Sequence, residues 1–391
     1  MLDGVNVALG VTGSIAAVKT VELAHELRRA GADVRAVMSA AATDIVGPWS
    51  VEFATDSDVV TEITGSVEHV ELCGRDGWAD VLLVAPATAN TVGKIAAGID
   101  DTPVTTCATT ALGAGMPVVI APAMHEPMYD HPAVLENLAT LEEWGVEIID
   151  PRIEEGKAKI AAEAAIVTGV ARAAGEQPLA GRRVVVTAGG TTENVDPVRA
   201  LTNRASGKTG RAVARACHVR GAEVSLIHGD VLGDRPDTHY AKTRWIESVA
   251  DLQKETFDAV AGADALISAA AISDYTVEAS SEKIRSGEEE LTLTLTPTPK
   301  LVDAVRERYP DLPLVGFKAE TGGDDAALVE RARSLRDRID AAFVVANDAS
   351  VMGADSTRAL LVTEDDYSTH EGEKRGLGLA VADALARALD N

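Results

Sequence analysis

The stretch NVALGVTGSIAAVKTVELAHELRRAGADVRAVMS, Asn6 to Ser39, reads as strand, glycine turn, helix, strand. A short β-branched run comes first. A turn bearing Gly10 and Gly13 follows, then residues at helical apolar spacing that end at Gly31, then a second apolar run. The stretch RRVVVTAGGTTENVDPVRALTNRASGKTGRAVARACHVRGAEVSLIHGD, Arg182 to Asp230, repeats that order, with its helix ending at Gly221. Two β-α-β units, each heading one half of the chain, predict an α/β protein of two doubly wound, Rossmann-like, three-layer domains. The segment AAGEQPLAG, Ala173 to Gly181, is the natural linker and sets the expected domains at residues 1–178 and 179–391.

Further strands extend each half. In the first, ADVLLVAPATAN and MPVVIAPAMH each give a buried strand that runs into polar residues; in the second, ADALISAAAISDY, LPLVGFKAET and AAFVVANDAS do the same. Ligands of open parallel sheets bind beyond the carboxyl ends of the strands, so these polar residues are the first site candidates. Any one of them is equally well explained as ordinary turn chemistry, but five together favour sites. LTLTLT, Leu291 to Thr296, alternates with period two and reads as an exposed or edge strand. With SSEKIRSGEEE before it, it suggests a hairpin or flap over the second sheet, and Lys300 to Arg308 then reads as helix.

The 391 residues carry 36 Lys and Arg against 61 Asp and Glu, a net charge of −25. That balance argues against a nucleic-acid binder, which needs basic stripes over phosphates. An anionic ligand would need local cations and helix N-termini to overcome the overall field. Arginine far outnumbers lysine, and such self-repulsion is tolerated where salt screens it, so the composition suggests a high-salt habitat; an ordinary acidic cytosolic protein is the plainer alternative. Aromatic residues make up only 3%, so Ala, Val, Ile and Leu must fill the cores. Cys73, Cys107 and Cys217 form no CxxC pair, and neither a zinc site nor a redox dithiol is expected. No signal pattern and no apolar stretch of about 20 residues is found, which points to a soluble cytoplasmic protein with no membrane partner.

The first turn, GVTGSIA, lacks the dinucleotide pattern G-x-G-x-x-G. Ser14 sits where the next helix starts and either caps it or holds a phosphate; Ser39 is a second candidate phosphate hydroxyl. GVTGSIAAVK, HVELCGRDGWAD, APATANTVGKIAAGIDD and APAMHEPMY occur in the order found in flavin-containing cysteine decarboxylases, which residues 1–175 resemble. The resemblance implies that residues 1–178 are an FMN-binding phosphopantothenoylcysteine decarboxylase domain that assembles as trimers. It places Gly13, Ser14 and Ser39 near the FMN phosphate, and Ala85, Pro86, Ala87, Thr88, Asn90, Thr105 and Thr106 around the flavin. His69 matches the family's active-site histidine, whose intrinsic pKa suits proton traffic, and Met124 with His125 would meet the substrate. In that chemistry FMN takes the electrons of the cysteinyl thiol, the resulting thioaldehyde lets carbon dioxide leave, and an acid supplies a proton.

Two departures stand out. His125 occupies the place of the family's asparagine, and still offers a hydrogen-bond donor. RIEEGKAKIAAEAAIV replaces a flap that in the family bears a catalytic cysteine, and contains none. Lys157 and Lys159 lie there, as replacement acid or phosphate clamp, or as a solvated basic pair; an unperturbed lysine is a reluctant acid.

In the second half, Gly189-Gly190 follows a strand and Ser206-Gly207-Lys208 opens a helix, a combination suited to an anion held by backbone N–H groups. It is not a P-loop. With AAAISDY, EKIRS, PKLV, VGFKAET and VAND, the stretch resembles the phosphopantothenate–cysteine ligase half of the same fused enzyme, of archaeal, halophilic type. The resemblance implies that residues 179–391 activate 4′-phosphopantothenate with CTP and Mg2+ as an acyl-cytidylate, which the cysteine amine then attacks, and that this half dimerises. Asn203 would hold the acyl intermediate and Arg199 the substrate's phosphate or carboxylate. Asp274 would face nucleotide or metal, and Lys283 the CTP phosphates. Pro299, Lys300, Leu301, Val302 and Phe317 would line the nucleotide, with Gly189, Gly190, Ser206, Gly207 and Lys208 at its phosphates. The family's KIKK is KIRS here, and Arg333, Arg336 and Arg338 stand where it has a lysine-rich helix; a solvated arginine face competes with that role.

The whole then reads as a homo-oligomeric bifunctional enzyme of coenzyme A biosynthesis, converting 4′-phosphopantothenate, cysteine and CTP to 4′-phosphopantetheine. The alternatives are a ligase whose flavin domain is an assembly scaffold, a tandem nicotinamide-dependent reductase, and an anion-binding module without turnover.

Overall fold

A computed structural model describes residues 1–230, 235–285, 290–320, 324–348 and 356–390. The chain divides into two compact units, Met1–Gly175 and Glu176–Asn391.

The first unit is built on a five-stranded, all-parallel sheet. Its order is Asp33–Met38, Asn6–Val11, Val81–Ala87, Val118–Pro122, Glu147–Ile148. That is the 2-1-3-4-5 winding of an open α/β sheet, whose direction reverses between the strands Asn6–Val11 and Val81–Ala87. Every residue of Val81–Ala87 is buried, as the continuous apolar run requires of a strand covered on both faces. Local chemistry sets the helix starts. Thr88 Oγ1 accepts from Thr91 N at the head of Ala89–Ala96. Thr102 and Thr105 form a capping box at Pro103–Ala114. A small antiparallel sheet stands apart, in the order Met124–His125, Lys157–Lys159, Arg152–Glu154. The core is aliphatic: Leu9, Leu83, Val84 and Ile120 are fully buried, and truncating one such leucine or isoleucine to Ala costs about 2–5 kcal/mol.

The second unit carries an eight-stranded sheet in the order Lys242–Ile246, Glu223–Gly229, Arg183–Ala188, Ala265–Ser268, Leu314–Glu320, Phe343–Asp348, Ser356–Val362, Tyr367–Glu373. The first six strands are parallel, wound 3-2-1-4-5-6; the last two add an antiparallel hairpin at one edge. Helices Lys208–Val219 and Lys374–Leu389 pack together on one face, sharing a core with Val213, Cys217, Leu377 and Val381. Helices Val249–Val260 and Asp325–Ile339 share the core of the other face through Leu252, Val260, Val329 and Ile339.

One expectation needs correction. Among Leu291–Thr296 only the last two residues join a strand, Leu295–Pro297, which pairs with Tyr275–Val277 and not with the segment before it. The alternation had no apolar face to bury, since Leu291 and Leu295 are both exposed. Ser286–Glu289 of the predicted flap lie outside the described residues. Spacing also hid a proximity between cysteines: the helices bearing Cys73 and Cys107 pack together, and a hydrogen bond to Cys107 followed by burial pushes the Cys73 thiol up. No helix among the described residues is long and apolar enough to cross a membrane.

Candidate functional site

Each unit has a cavity beyond the carboxyl ends of the strands where its sheet reverses direction. In the first unit a cavity of about 440 Å3 is lined by the turn Gly13–Ala16 with Val18 and Lys19, by Thr88, by Ala123–His125 and Met128, and by Arg152 and Lys157–Ile160. Gly13 is there because the turn lies against the short helix Ala40–Thr43 that follows the second strand: a Cβ would come within 2.5 Å of the Ala41 Cβ. Ser14 caps the short helix Ile15–Lys19, accepting from Ala16 N, and donates to the Ala123 carbonyl at 3.1 Å, which ties two walls together. Thr12 Oγ1 donates to the Pro86 carbonyl at 2.7 Å. Ser39 Oγ, by contrast, is buried with no partner, although its backbone N donates to Val11 at the root of the turn. An unsatisfied buried hydroxyl beside a glycine turn suits an anionic oxygen.

The small sheet brings His125 directly opposite Lys157. The two lysines then part company. Lys159 pairs with Glu155 at 2.9 Å and Glu154 at 3.1 Å, and these hydrogen bonds hold its ammonium above the usual lysine range. Lys157 is exposed and makes no ion pair among the described residues. Lys159 therefore suits proton donation less well than Lys157, because its two carboxylate partners favour keeping the proton. Arg152 on the cavity wall and Lys19, 3.3 Å from Glu163, have no role assigned from sequence although Lys19 ends the GVTGSIAAVK stretch and Arg152 opens RIEEGKAKIAAEAAIV, because neither stretch shows which of its side chains turns toward the cavity.

Other expected flavin residues lie off this wall. Ala85, Pro86 and Ala87 form the buried strand end, and only Thr88 reaches the cavity, while Asn90 is exposed in the next helix. Thr105 and Thr106 spend their hydroxyls at the helix start, Thr106 on the Asp100 and Thr102 carbonyls. His69, in the helix Glu68–Cys73, does not line the cavity either, and its Nδ1 is buried without a partner.

In the second unit a cavity of about 320 Å3 opens between Gly189 and Ala269–Ile272, the ends of the two central strands. Ser206, Gly207 and Lys208 form one wall; Phe317, Lys318, Asn347, Thr357 and Lys374 form the other. Gly207 is the N-cap of Lys208–Val219 with φ +70°, a left-handed conformation that a side chain resists. Lys374 is buried at the head of the last helix and was missed, since nothing in its local sequence marks it. A second cavity of about 190 Å3 shares Asp274 and Phe317 with the first and adds Thr298, Lys300, Leu301, Val302 and Arg338. Asp274 pairs with Lys300, and Arg338 with Asp303.

The ligase motif residues form a frame around these cavities. Asn203 Nδ2 donates to the Ala271 carbonyl at 2.7 Å and so braces the cavity wall, while Gly190 packs beneath it. Arg199 is not free to await a substrate: it donates to the Ile284 carbonyl at 2.6 Å and lies 3.5 Å from Asp196. Burial alone would push the Asp196 carboxyl up, but backbone N–H groups of Val198, Ile284 and Arg199 hold it below the usual range. Asp196 and Arg199 thus grip both backbone groups of Ile284, the residue after Lys283, and Lys283 itself is exposed and unpaired among the described residues. Pro299 is exposed beside the wall, where buried Thr298 takes its place.

The arginine helix is corrected. Arg336 pairs with Asp337 and Glu364, and Arg333 donates to the Asp365 carbonyl, so both serve the acidic turn between the last two strands. Arg338 lines the cavity that holds Asp274, whereas Arg333 lines a separate groove with Asp324, Ser334 and Tyr367. Two residues apart on a helix is about 200°, which places Arg336 and Arg338 on opposite faces.

Comparison with known proteins agrees with this division. The family model Flavoprotein matches residues 1–175, and that of the DNA/pantothenate metabolism flavoprotein C-terminal domain matches residues 179–389. A coenzyme A biosynthesis bifunctional protein CoaBC from Thermococcus kodakarensis is 47% identical over 374 residues, covering 93% of this chain and 90% of that protein. The proteins of the same name from Methanocaldococcus jannaschii and Bacillus subtilis are 34% and 36% identical over 391 and 369 residues, covering 99% and 90% of this chain and 94% and 88% of theirs. The crystal structure of the FMN-dependent cysteine decarboxylase SpaF is 34% identical over 44% of this chain and 99% of that one, with a TM-score of 0.39. The chain belongs to the family of the bifunctional coenzyme A biosynthesis proteins, a flavoprotein half followed by a pantothenate-metabolism half.

Proposed function

We propose that the second half joins cysteine to 4′-phosphopantothenate at the expense of CTP, and that the first half decarboxylates the product to 4′-phosphopantetheine. The ligase and the FMN-dependent decarboxylase are the activities of the family; the nucleotide, the metal and the residue roles are our own assignment. What carries it is the pair of cavities, each at the reversal point of its own sheet and each different in chemistry.

In the ligase half, the Ser206–Lys208 turn and the helix behind it receive the phosphate chain, with Lys208, Lys318 and Lys374 balancing its charge. Phe317, Leu301 and Val302 offer apolar surface to the base in the adjoining cavity. A free carboxylate is a poor electrophile; its attack on the α-phosphorus of CTP, with loss of pyrophosphate, makes the acyl-cytidylate. The cysteine amine then displaces CMP. We assign Asn203, which braces the cavity wall, to the acyl group, and the exposed Lys283 to the developing phosphate charge. No cluster of three or more metal-binding side chains exists among the described residues. Mg2+ fits as an ion held mainly by nucleotide oxygens, with Asp274 as its single carboxylate.

In the flavin half, Gly13 and the orphan Ser39 hydroxyl suit the FMN phosphate, and Thr88 and Met124 the ring side of the cavity. Bound FMN supplies the redox step that makes carbon dioxide loss possible. The chain's own part is to orient the substrate carboxylate and return a proton. His125 and Lys157 face each other at the mouth and are our acid pair, and Arg152 offers a guanidinium to the substrate's anionic end. A trimeric flavin half and a dimeric ligase half remain part of this proposal.

The test is one reaction followed by mass spectrometry: protein with FMN, 4′-phosphopantothenate, cysteine, CTP and Mg2+. Formation of 4′-phosphopantetheine supports both assignments. Arrest at 4′-phosphopantothenoylcysteine would leave the ligase and remove the decarboxylase; replacement of CTP by ATP without loss would remove the nucleotide assignment.

A further inference from the structure

The nucleotide turn rests on a buried histidine that neither activity has used. His228 is the next-to-last residue of the strand Glu223–Gly229 and is fully buried. Its Nδ1 lies 2.6 Å from the Gly229 carbonyl, which only accepts, so Nδ1 carries the proton. Its Nε2 lies 2.7 Å from Arg211 Nη1, which only donates, so Nε2 offers a lone pair. The ring is therefore the neutral Nδ1–H tautomer. Burial, more than any other influence, holds its pKa below the ordinary imidazole value, in agreement with that tautomer.

The imidazole touches the turns that line the cavity. A Cβ on Gly207 would come within 2.4 Å of His228 Nε2, and one on Gly189 within 3.0 Å of Cε1. Arg211, held by His228, donates from the same Nη1 to the Ser206 carbonyl at 2.9 Å. The Ser206–Gly207 peptide is trans, so its N–H points opposite to its C=O. Turning that carbonyl to Arg211 turns the Gly207 N–H the other way, on a segment that lines the cavity from Ser206 to Lys208.

We propose that His228 is a positioning residue of the nucleotide site: as a neutral wedge beneath both glycine turns it fixes Arg211 on the Ser206 carbonyl and so presents the Gly207 N–H to the phosphate chain. This rests on the reading of that cavity as the nucleotide site. His228 touches no substrate and acts through Arg211.

The surroundings give it a pH dependence. Arg211 faces the ring from the helix Lys208–Val219, and the Asp230 carboxylate two residues on acts on it with the opposite sign. Trp245, on the neighbouring strand, lies against the ring with centroids 4.8 Å apart and planes tilted by 50°, beneath the Arg235 guanidinium, which pairs with Asp230. The strand Arg183–Ala188 presents Ala188, and the helix Val249–Val260 packs on the opposite face with Ile227. Protonated Nε2 would lose its lone pair and confront Arg211, so nucleotide affinity falls as pH drops below the ordinary imidazole range of about 6.5.

The experiment is calorimetric titration of CTP with Mg2+ into the FMN-loaded full chain, wild type, His228→Asn and His228→Leu, with ligase kinetics on the same preparations. Decarboxylation of supplied 4′-phosphopantothenoylcysteine and the melting curve report that each chain is folded. The expected result is a CTP Kd raised about 10- to 100-fold in His228→Leu. Its KM for cysteine stays unchanged, and its kcat at saturating CTP falls less than about threefold. His228→Asn, which keeps a donor and an acceptor, stays within about threefold of wild type, and its Kd loses the acid limb that wild type shows. Wild-type affinity in a folded His228→Leu overturns the proposal, as does an Asn variant as impaired as Leu or unchanged acid dependence in Asn. Absence of CTP binding by the wild-type chain would instead sink the nucleotide reading, and this inference with it.

Discussion

The two halves start from the same strand–turn–helix plan and end with opposite surfaces. In the first, the turn after the opening strand is closed by side chains: Gly13 lies on Ala41, and Ser14 bridges to Ala123. The cavity beyond is broad, with Ile15, Val18, Met124 and Met128 exposing apolar surface to it. In the second, the turns rest on a buried imidazole, and lysines from three separate elements, Lys208, Lys318 and Lys374, surround the opening. A flat aromatic cofactor needs apolar walls and one phosphate anchor; a triphosphate needs backbone N–H groups and several cations. On the proposed assignment the same topology serves both, because the reversal point fixes only where a ligand sits and the turn residues decide which ligand suits it.

The sharpest way to break this comparison is Lys283→Ala. Ligase kcat/KM should fall about 10²- to 10³-fold, while decarboxylation of supplied 4′-phosphopantothenoylcysteine keeps its wild-type rate. A parallel loss of both would mean that the halves are not functionally separate. Next comes the proton donor. Lys157→Ala should slow decarboxylation about 10²-fold and Lys159→Ala less than about threefold, since Lys159 is committed to Glu154 and Glu155. Equal effects in a single-turnover carbon dioxide assay would remove the distinction drawn between them.

Gly207→Ala sharpens the contrast between the turns. With φ at +70° and the imidazole below, it should raise the CTP KM about tenfold or more and leave FMN content unchanged. The smallest effect is expected at Asp196. Its folded pKa lies below that of the unfolded chain, so its contribution to stability is complete above about pH 4 and is lost as pH falls through the lower folded value. Melting curves of wild type and Asp196→Asn should therefore differ near neutrality and converge in acid; a gap that widens in acid would contradict the hydrogen-bond account.

By itself, the sequence determined the two α/β units, the linker near residue 175, and the glycine turns, because β-branched runs, helical spacing and Gly at turns are local signals. Gly207, Lys208, Asp274, Lys300 and Phe317, named from the sequence, line the two cavities of the second unit because they fall at strand ends and helix starts. Tertiary structure decided what each side chain was still free to do. Thr105 and Thr106 look like polar site residues in sequence and are spent on a helix cap; Arg336 looks like a phosphate ligand and is spent on Glu364. Lys374 and His228 have no role assigned from sequence, nor has Arg152 within its quoted stretch, and strands and helices far apart in sequence converge on them. The physical reason is that periodicity reports burial along one element, whereas the commitment of a hydroxyl, an ammonium or an imidazole depends on the partner that long-range packing delivers.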